Sequence, residues 1–321
     1  MNMEAPLIPA DSDAPRRHGL GAYMACFRGI VWREVLRFLY QRERFFSALV
    51  RPLVWLFIFA AGFRQVLGVS IIPPYTTYVL YETFITPGLI GMILLFNAMQ
   101  SSLSMVYDRE TGAMRTLLVA PFPRSFLLLS KLIGGVAVAC LQAYTFLAIA
   151  YFWDIQPPWM GYLTVFPALV LSGLMLGALA LLMSSLIRQL ENFAGVMNFV
   201  IFPMFFASSA LYPLWRIREG SPLLYEIARF NPFTHAVELI RFALYGQVGA
   251  RIDPTMNPVE PGISLDGVLI PLQSGELLDL THVTVVILCT VLFLAAAVFA
   301  YNPSKGLIAR RGGPGGGANA V

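Results

Sequence analysis

The sequence predicts an all-α membrane protein with six transmembrane helices, and three observations lead to that prediction. Of the 321 residues, 57% are hydrophobic and only 12% are charged, whereas a soluble domain carries about 25% charged residues. The apolar residues occur in blocks of about 20, the length of helix that crosses the roughly 30 Å hydrocarbon layer. The basic residues stand mainly at the ends of these blocks, as they do in membrane proteins.

Each apolar block is assigned one span, and the chain between the two tails is predicted to form a single transmembrane domain, 20–305. The tails, 1–19 and 306–321, are rich in Pro or Gly and are predicted to be disordered. The six spans are predicted at about 46–66, 84–106, 132–153, 162–187, 193–214 and 282–301.

Residues 20–45 are predicted to form an amphipathic helix that lies in the headgroup layer before the first span. Five arginines interrupt the segment, so it does not itself cross the membrane. Phe27, Val31, Val35 and Leu39 recur at helical spacing and give it an apolar face. The alternative is a soluble helix that packs on another chain.

The distribution of Lys and Arg predicts the orientation. The segment that ends at Arg51, the polar insert 108–131 and the C-terminal tail hold most of the basic residues of the shorter segments, whereas the two short opposite loops hold only Arg64. Both termini are therefore predicted to be cytoplasmic. The long segment 215–280 then lies outside.

No Asp, Glu, Lys or Arg is expected near the centre of a span, which disfavours an ion-driven carrier. The neutral polar residues Asn97, Gln100 and Asn198 are the best candidates for lining a transport pathway. The ordinary alternative for each of them is a hydrogen bond between helices.

Known energy-converting and hydrolytic motifs are missing from the sequence. There is no Walker-type phosphate-binding loop, no zinc-protease motif and no serine-hydrolase motif. Cys26, Cys140 and Cys289 have no close-spaced partner, so no metal site is predicted. The chain is thus expected to be neither an enzyme nor a nucleic-acid-binding protein, and to bind no cofactor itself.

The insert between the second and third spans has the features of a short surface helix. Gly112 can end the preceding helix, and residues 113–120 allow two helical turns before Pro121. Met114, Leu117 and Leu118 give the short helix an apolar face. Because two turns cannot bury this face alone, a protein partner is predicted at this place.

Three segments carry a resemblance to a known family. The insert, from Asp108 to Arg124, resembles the acidic-Gly-Thr-Leu-Glu-x-Leu-Leu-x-x-Pro segment of type-2 ABC-exporter permeases, which include drug-efflux, lipo-oligosaccharide and polysaccharide export permeases. Residues 202–214 are similar to the fifth-helix signature of that family, with Ser209 in place of its Gly. Residues 231–241 resemble its Asn-Pro-Leu-Thr-Tyr segment, and the likeness extends over about 25–305.

The resemblance implies a role for each segment. Residues 20–45 would be the connecting helix, and 110–120 would be a coupling helix seated in a groove of a separate ATP-binding subunit, with Glu110, Gly112, Arg115, Leu117 and Leu118 at the contact. Residues 215–245 would form outer re-entrant helices, with Asn231, Pro232 and Arg241 in them.

The resemblance also implies an assembly in the bacterial inner membrane. Two ATP-binding subunits, which hold ATP and magnesium, would join two permeases, identical or related. The expected function is export of a lipid, glycolipid, polysaccharide or hydrophobic drug-like compound. The alternatives are a non-transporting membrane scaffold or assembly factor, and an ion-driven carrier.

Overall fold

The computed structural model describes residues 19–40, 42–63, 69–70, 78–79, 81–111, 122–153, 155–187, 189–245, 262–265, 268–271 and 280–300. Within these ranges the chain is almost wholly helical. The helices are α1 (Leu20–Tyr40), α2 (Arg42–Phe63), α3 (Tyr81–Glu110), α4 (Arg124–Tyr151), α5 (Trp159–Leu186), α6 (Leu190–Phe206), α7 (Leu214–Gly220), α8 (Pro222–Phe230), α9 (Pro232–Tyr245) and α10 (Leu280–Ala300).

Two short antiparallel hairpins accompany the helices, although the sequence predicts no strands. In one hairpin β1 (Val69–Ser70) pairs with β2 (Tyr78–Val79). In the other, β3 (Gly262–Leu265) pairs with β4 (Val268–Pro271). Both hairpins lie in the loops that are predicted to be on the outer side.

Among the described residues, four helices are long and apolar enough to cross a membrane: α3, α4, α5 and α10. The other two predicted spans fall on α2 and α6, whose described apolar stretches, Leu49–Ile58 and Leu190–Phe206, are shorter. At 1.5 Å per residue, the 17 residues of α6 extend about 25 Å, less than a full hydrocarbon layer.

Two predicted boundaries are wrong. The predicted interfacial helix ends at 45, but α1 ends at Tyr40 and the charged residues that follow already belong to α2. The predicted fifth span continues to 214, but α6 ends at Phe206. There the Ser208 hydroxyl donates to the Phe205 carbonyl and accepts from the Ala210 N–H, and such local bonds compete with helix continuation.

The core lies between α3, α4, α5 and α9, and α3 is buried along most of its length. Two glycines of α5, four residues apart, allow this helix to pack closely on α4. A Cβ on Gly173 would contact Val136, and one on Gly177 would collide with Leu132, both on α4.

The helices run between two ends of the molecule. One end, called the insert end, contains the C-terminus of α3, the start of α4, the junction of α5 with α6, and α1. There Glu34 of α1 contacts α4 at Gly134. The α9 end holds α9, the turn 207–213 and the start of α3, where the Tyr81 hydroxyl donates to the Leu211 carbonyl. Ala297, near the end of α10, packs with Leu128 and Leu181 at the insert end.

Candidate functional site

The last three residues of α3 attach this helix to three different helices. Asp108, Arg109 and Glu110 are also the first residues of the insert that the sequence singles out. Lys131 of α4 pairs with Asp108 at 3.2 Å, Arg109 reaches α5, and Glu110 reaches α6. A displacement of the start of the insert would therefore act on four helices at once.

Glu110 has a defined partner at the insert end. Its Oε1 accepts a hydrogen bond from the backbone N–H of Leu190 at 2.9 Å. Leu190 is the first residue of α6, where N–H groups have no partner inside the helix and an acidic group is favoured by the helix dipole. Glu110 is exposed, but it is more than a solvated charge, because it caps a neighbouring helix.

Arg109 and Asp108 complete the junction. The Arg109 guanidinium donates to the Ser184 carbonyl at 3.0 Å, in the last turn of α5, where carbonyls lack helical partners. Lys131 is only 5% exposed, so its pairing with Asp108 compensates a buried charge. The sequence analysis did not select Asp108, Arg109 or Lys131, although the consecutive charges 108–110 were visible at the end of a span.

The other side of the insert is fixed by aromatic contacts to α1. The ring of Tyr23 lies 5.1 Å from the rings of Phe122 and Phe126, with edge-to-face geometry in both cases. Phe122 and Phe126 lie at the C-terminal end of the insert, where α4 begins. The insert is thus held on one side by α3 and on the other by α1 and the start of α4.

Four of the residues predicted to contact a partner lie outside the described residues: Gly112, Arg115, Leu117 and Leu118. Of the predicted contact set, only Glu110 is described. The expected coupling helix therefore stays a prediction, and the structure defines only the two attachments that flank it.

Asn97 takes part in a hydrogen bond between helices. Its amide donates to the Gln142 side chain of α4 at 2.6 Å, and Gln142 is buried. Asn97 and Ser101 also line a cavity of about 20 Å³ between α3, α4 and α5, a volume that suits about one water molecule.

The three candidate pathway residues do not come together in one chain. Gln100 lies on α3, one turn from Asn97, and is half-buried. Asn198 is exposed on α6, where its amide donates to the Ala194 carbonyl of the same helix at 3.3 Å. Asn198 and Asn97 could therefore share a pathway only if another surface or a second chain completed it.

Arg51 lies deeper in the molecule than expected. The sequence places it at the start of a span, but it is nine residues from the start of α2 and its Cζ lies 3.8 Å from the centroid of the Phe96 ring. Phe96 has 15 residues before it and 14 after it in α3. The Arg51 side chain thus lies beside the middle of α3, a position that the sequence does not predict.

Asn231 joins two helices at the α9 end. Its amide nitrogen donates to the carbonyls of Met204 and Ala207, both at 2.8 Å, and its Oδ1 accepts from the Phe233 N–H at 3.0 Å. The side chain thus caps the C-terminus of α6 and the N-terminus of α9 together. Pro232 follows as the first residue of α9, where its missing N–H costs nothing.

Arg241 anchors α9 to the turn 207–213 and to α3. It pairs with Glu238, donates to the Ser209 carbonyl at 2.8 Å, and stacks over the Phe84 ring at 4.2 Å. Arg241 is 7% exposed. Asn231 and Arg241, two of the three predicted residues of the outer segment, thus have structural partners.

Two histidines link α9 to α10. The Nδ1 atoms of His235 and His282 lie 2.8 Å apart, and Nε2 of His235 lies 3.0 Å from the Arg229 carbonyl at the end of α8. Burial lowers the pKa of His235, and the His282 ring lowers it further. Across the described ranges, no group of three or more His, Cys, Asp or Glu side chains is placed to hold a metal ion.

Residues 25–245 match the protein family described as ABC-2 type transporter. This range includes nearly all of α1 and continues to the end of α9. The sequence resemblance extends to about 305, so α10 lies outside the part that this match covers.

Three transport-related proteins are similar to part of the chain. A putative transport permease ycf38 of Cyanophora paradoxa is 28% identical over 201 residues, 61% of this chain and 66% of the relative. A probable multidrug ABC transporter permease, YbhR of Escherichia coli K12, is 33% identical over 165 residues, 50% of this chain and 43% of the relative. Nodulation protein J of Rhizobium leguminosarum bv. viciae is 24% identical over 207 residues, 64% of this chain and 76% of the relative. The chain thus spans less than two thirds of the first and less than half of the second.

Proposed function

The chain belongs to the ABC-2 type transporter family, and on this premise we propose that it is the membrane-spanning permease subunit of an ATP-driven exporter. A separate subunit would bind and hydrolyse ATP with magnesium. The observation that carries the proposal is the junction at residues 108–110. It attaches the predicted coupling insert to α4, α5 and α6 through one contact each.

The junction suggests how a partner could drive the permease. An ATP-binding subunit that closes on ATP would push the insert, and the push would reach α3 through Asp108 to Glu110. Because α4, α5 and α6 are tied to the same three residues, they would move with α3 rather than separately. A ligand can shift such an element only if it binds its two positions with different affinity, and ATP-dependent closure of the partner supplies that difference.

The assembly and its location follow from the same premise. We propose two ATP-binding subunits, a second permease copy that is identical or related, and surrounding lipid. The permease is proposed to lie in the bacterial inner membrane, to cross it six times and to have both termini in the cytoplasm. The cargo is proposed to be a lipid, glycolipid, polysaccharide or hydrophobic drug-like compound.

Co-purification tests the central claim. The tagged permease, extracted with its native membrane, should retain an ATP-binding subunit that mass spectrometry identifies. The ATPase activity of that subunit should depend on the permease. Retention of no ATP-binding protein, together with cargo transport by the permease alone, would contradict the proposal.

Variants at the junction test the coupling route. Glu110→Lys places a cation at the start of α6 and should uncouple ATP hydrolysis from transport while the protein stays in the membrane, and Gly112→Pro should do the same. Glu110→Gln keeps an acceptor for the Leu190 N–H and should uncouple less. Glu191→Gln is the matched control, because Glu191 is an exposed acid in the first turn of α6. Normal coupled transport in Glu110→Lys would rule out the junction as the route.

A further inference from the structure

Arg51 is a cation in an unusual position for a membrane helix. It lies on the exposed side of α2, an apolar helix, with its guanidinium over the Phe96 ring. Phe96 is about 22 Å from either end of α3, at 1.5 Å per residue. Because α3 is about 45 Å long and the hydrocarbon layer about 30 Å thick, an α3 that crosses the whole layer keeps Phe96 within about 8 Å of the middle of the layer.

The described part of the chain offers Arg51 no acidic partner. Its contact there is the Phe96 ring, and the three ion pairs that join described residues involve other arginines or Lys131. Charged residues at this depth are expensive, so they are usually paired or functional. A stacked arginine still has the edge of its guanidinium available, and this planar edge fits the oxygens of phosphate or carboxylate.

Among the described residues, the Arg51 side chain contacts an aromatic ring and pairs with no acidic group. Phe96 is half-buried and holds one face of the guanidinium. Gln100 lies one turn further along α3, on the same side as Phe96. Nearby, the Asn97 amide donates to the Gln142 side chain.

We infer that Arg51, stacked on Phe96, binds the anionic headgroup of an amphiphile within the membrane part of the permease. The ligand class is a phosphate- or carboxylate-bearing lipid-like molecule. It reaches the site either as cargo or as a lipid of the bilayer. The claim that the ligand is cargo rests on the proposed function. The claim that the permease binds an anion at Arg51 does not depend on it.

The binding test uses the full-length permease alone in nanodiscs. The probe is an alkyl phosphate with a photoreactive group next to the phosphate, and mass spectrometry locates the labelled peptide. Labelling on α2 and α3 is expected, with competition by dodecyl phosphate and not by dodecyltrimethylammonium. Arg51→Gln should weaken labelling about tenfold or more, the effect of losing one charged hydrogen-bond partner.

Three further variants separate charge, stacking and surface effects. Arg51→Lys keeps the charge and should restore part of the labelling, and Phe96→Leu should weaken it less than Arg51→Gln. Arg218→Gln is the matched control, because Arg218 also faces an aromatic ring, Tyr225 at 5.7 Å, but lies on α7 outside the candidate spans. It should leave the labelling of α2 and α3 unchanged.

A second measurement identifies the source of the anion. In the complex with the ATP-binding subunit, stimulation of ATP hydrolysis by dodecyl phosphate that is lost in Arg51→Gln assigns the site to cargo. Competition by phosphatidylglycerol in the nanodisc without such stimulation assigns it to a bilayer lipid. Labelling that is indifferent to Arg51, or equal competition by the cationic amphiphile, overturns the inference.

Discussion

At the scale of single residues, a polar side chain inside the membrane part can join two helices. The Asn97–Gln142 bond is the clearest case, because it connects α3 to α4 and buries Gln142 almost completely. Such bonds contribute about 0.6 kcal/mol on average in membrane proteins, and at most about 1.7. The 2.6 Å distance favours the structural reading of Asn97 over a role in lining the pathway.

Removal of this bond should lower stability modestly. Asn97→Ala is expected to reduce the free energy of unfolding in detergent by about 0.6–1.7 kcal/mol, and a double-mutant cycle with Gln142→Ala should return a coupling energy in that range. Asn198→Ala is the control, since Asn198 bonds only to its own helix. Additive effects of Asn97→Ala and Gln142→Ala would show that the two side chains do not interact.

The histidine pair has only one consistent arrangement of protons when both rings are neutral. Nε2 of His235 must donate to the Arg229 carbonyl, so its Nδ1 accepts, and Nδ1 of His282 donates to it. One added proton can be shared between the two rings, but a second leaves two cations facing each other. The charge of the Arg229 side chain also lowers the pKa of His235, whereas the hydrogen bond to the Arg229 carbonyl and the charge of Glu238 raise it.

Acidification should therefore loosen the contact between α9 and α10. Because the pKa of His235 is lowered in the folded protein, the unfolded chain binds protons more readily, so stability is lost as the pH falls below about 6.5. Thermal unfolding and hydrogen exchange of α9 and α10, measured at about pH 7.5 and about pH 5, should show this loss.

Two substitutions check the origin of the pH effect. His282→Asn keeps a donor near the position of Nδ1 but does not titrate, so it should reduce the pH dependence. His282→Phe should weaken the contact at both pH values. An unchanged pH dependence in His282→Asn would assign the effect to other groups. The chain has three histidines, so His18→Gln leaves only the pair for observation by NMR.

The candidate site could be predicted from the sequence only in part. The position of the insert was predictable, because polar residues interrupt two apolar blocks. The separate partners of Asp108, Arg109 and Glu110 were not, since each contact joins residues that are 23 to 80 positions apart. The depth of Arg51 was also not predictable, because it depends on how α2 is placed along α3.

At the scale of elements, α9 is fixed into the core by close backbone contacts. A Cβ on Gly161, near the start of α5, would collide with the Leu244 carbonyl, and the Thr164 hydroxyl donates to the Ala243 carbonyl next to it. A Cβ on Gly88 of α3 would collide with the backbone of Ala210. These contacts, with Asn231 and Arg241, hold the α9 end together.

Enlarging Gly161 should disturb this packing. Gly161→Ala is expected to cost about 1–3 kcal/mol of stability, because the obstructing atoms are backbone rather than a flexible side chain. Gly29→Ala is the control, since a Cβ there meets nothing within 4 Å and alanine favours a helix. The readout is thermal unfolding in nanodiscs, and equal stability of the two variants would contradict the close approach of α5 and α9.

The type of most elements followed from hydropathy, whereas their ends did not. Apolar blocks of span length are helical because a helix satisfies its backbone within lipid, and α3, α4, α5 and α10 cover four of the six predicted blocks. The end of α6 depends on hydrogen bonds of Ser208 that are invisible to a hydropathy pattern. The burial of α9 against α3 and α5 depends on glycines far away in the sequence.

At the scale of the whole molecule, α6 runs alongside α3 in the opposite direction although it is shorter. Its first residue, Leu190, contacts Glu110 at the end of α3. The turn after it contacts the start of α3, where Ala210 faces Gly88 and Leu211 accepts from Tyr81. The helix and the turn together therefore extend over most of the length of α3.

The last prediction follows from this arrangement: Ser125 and Leu223 should lie on opposite sides of the membrane. Three helices, α4, α5 and α6, separate them, and an odd number of crossings changes side. In a variant without the native cysteines, Ser125→Cys and Leu223→Cys should react with an impermeant maleimide from opposite faces, and both positions are exposed. Labelling of both from one face would mean that α6 does not cross. The six-crossing topology, and with it the outer location of α7 to α9, would then be wrong.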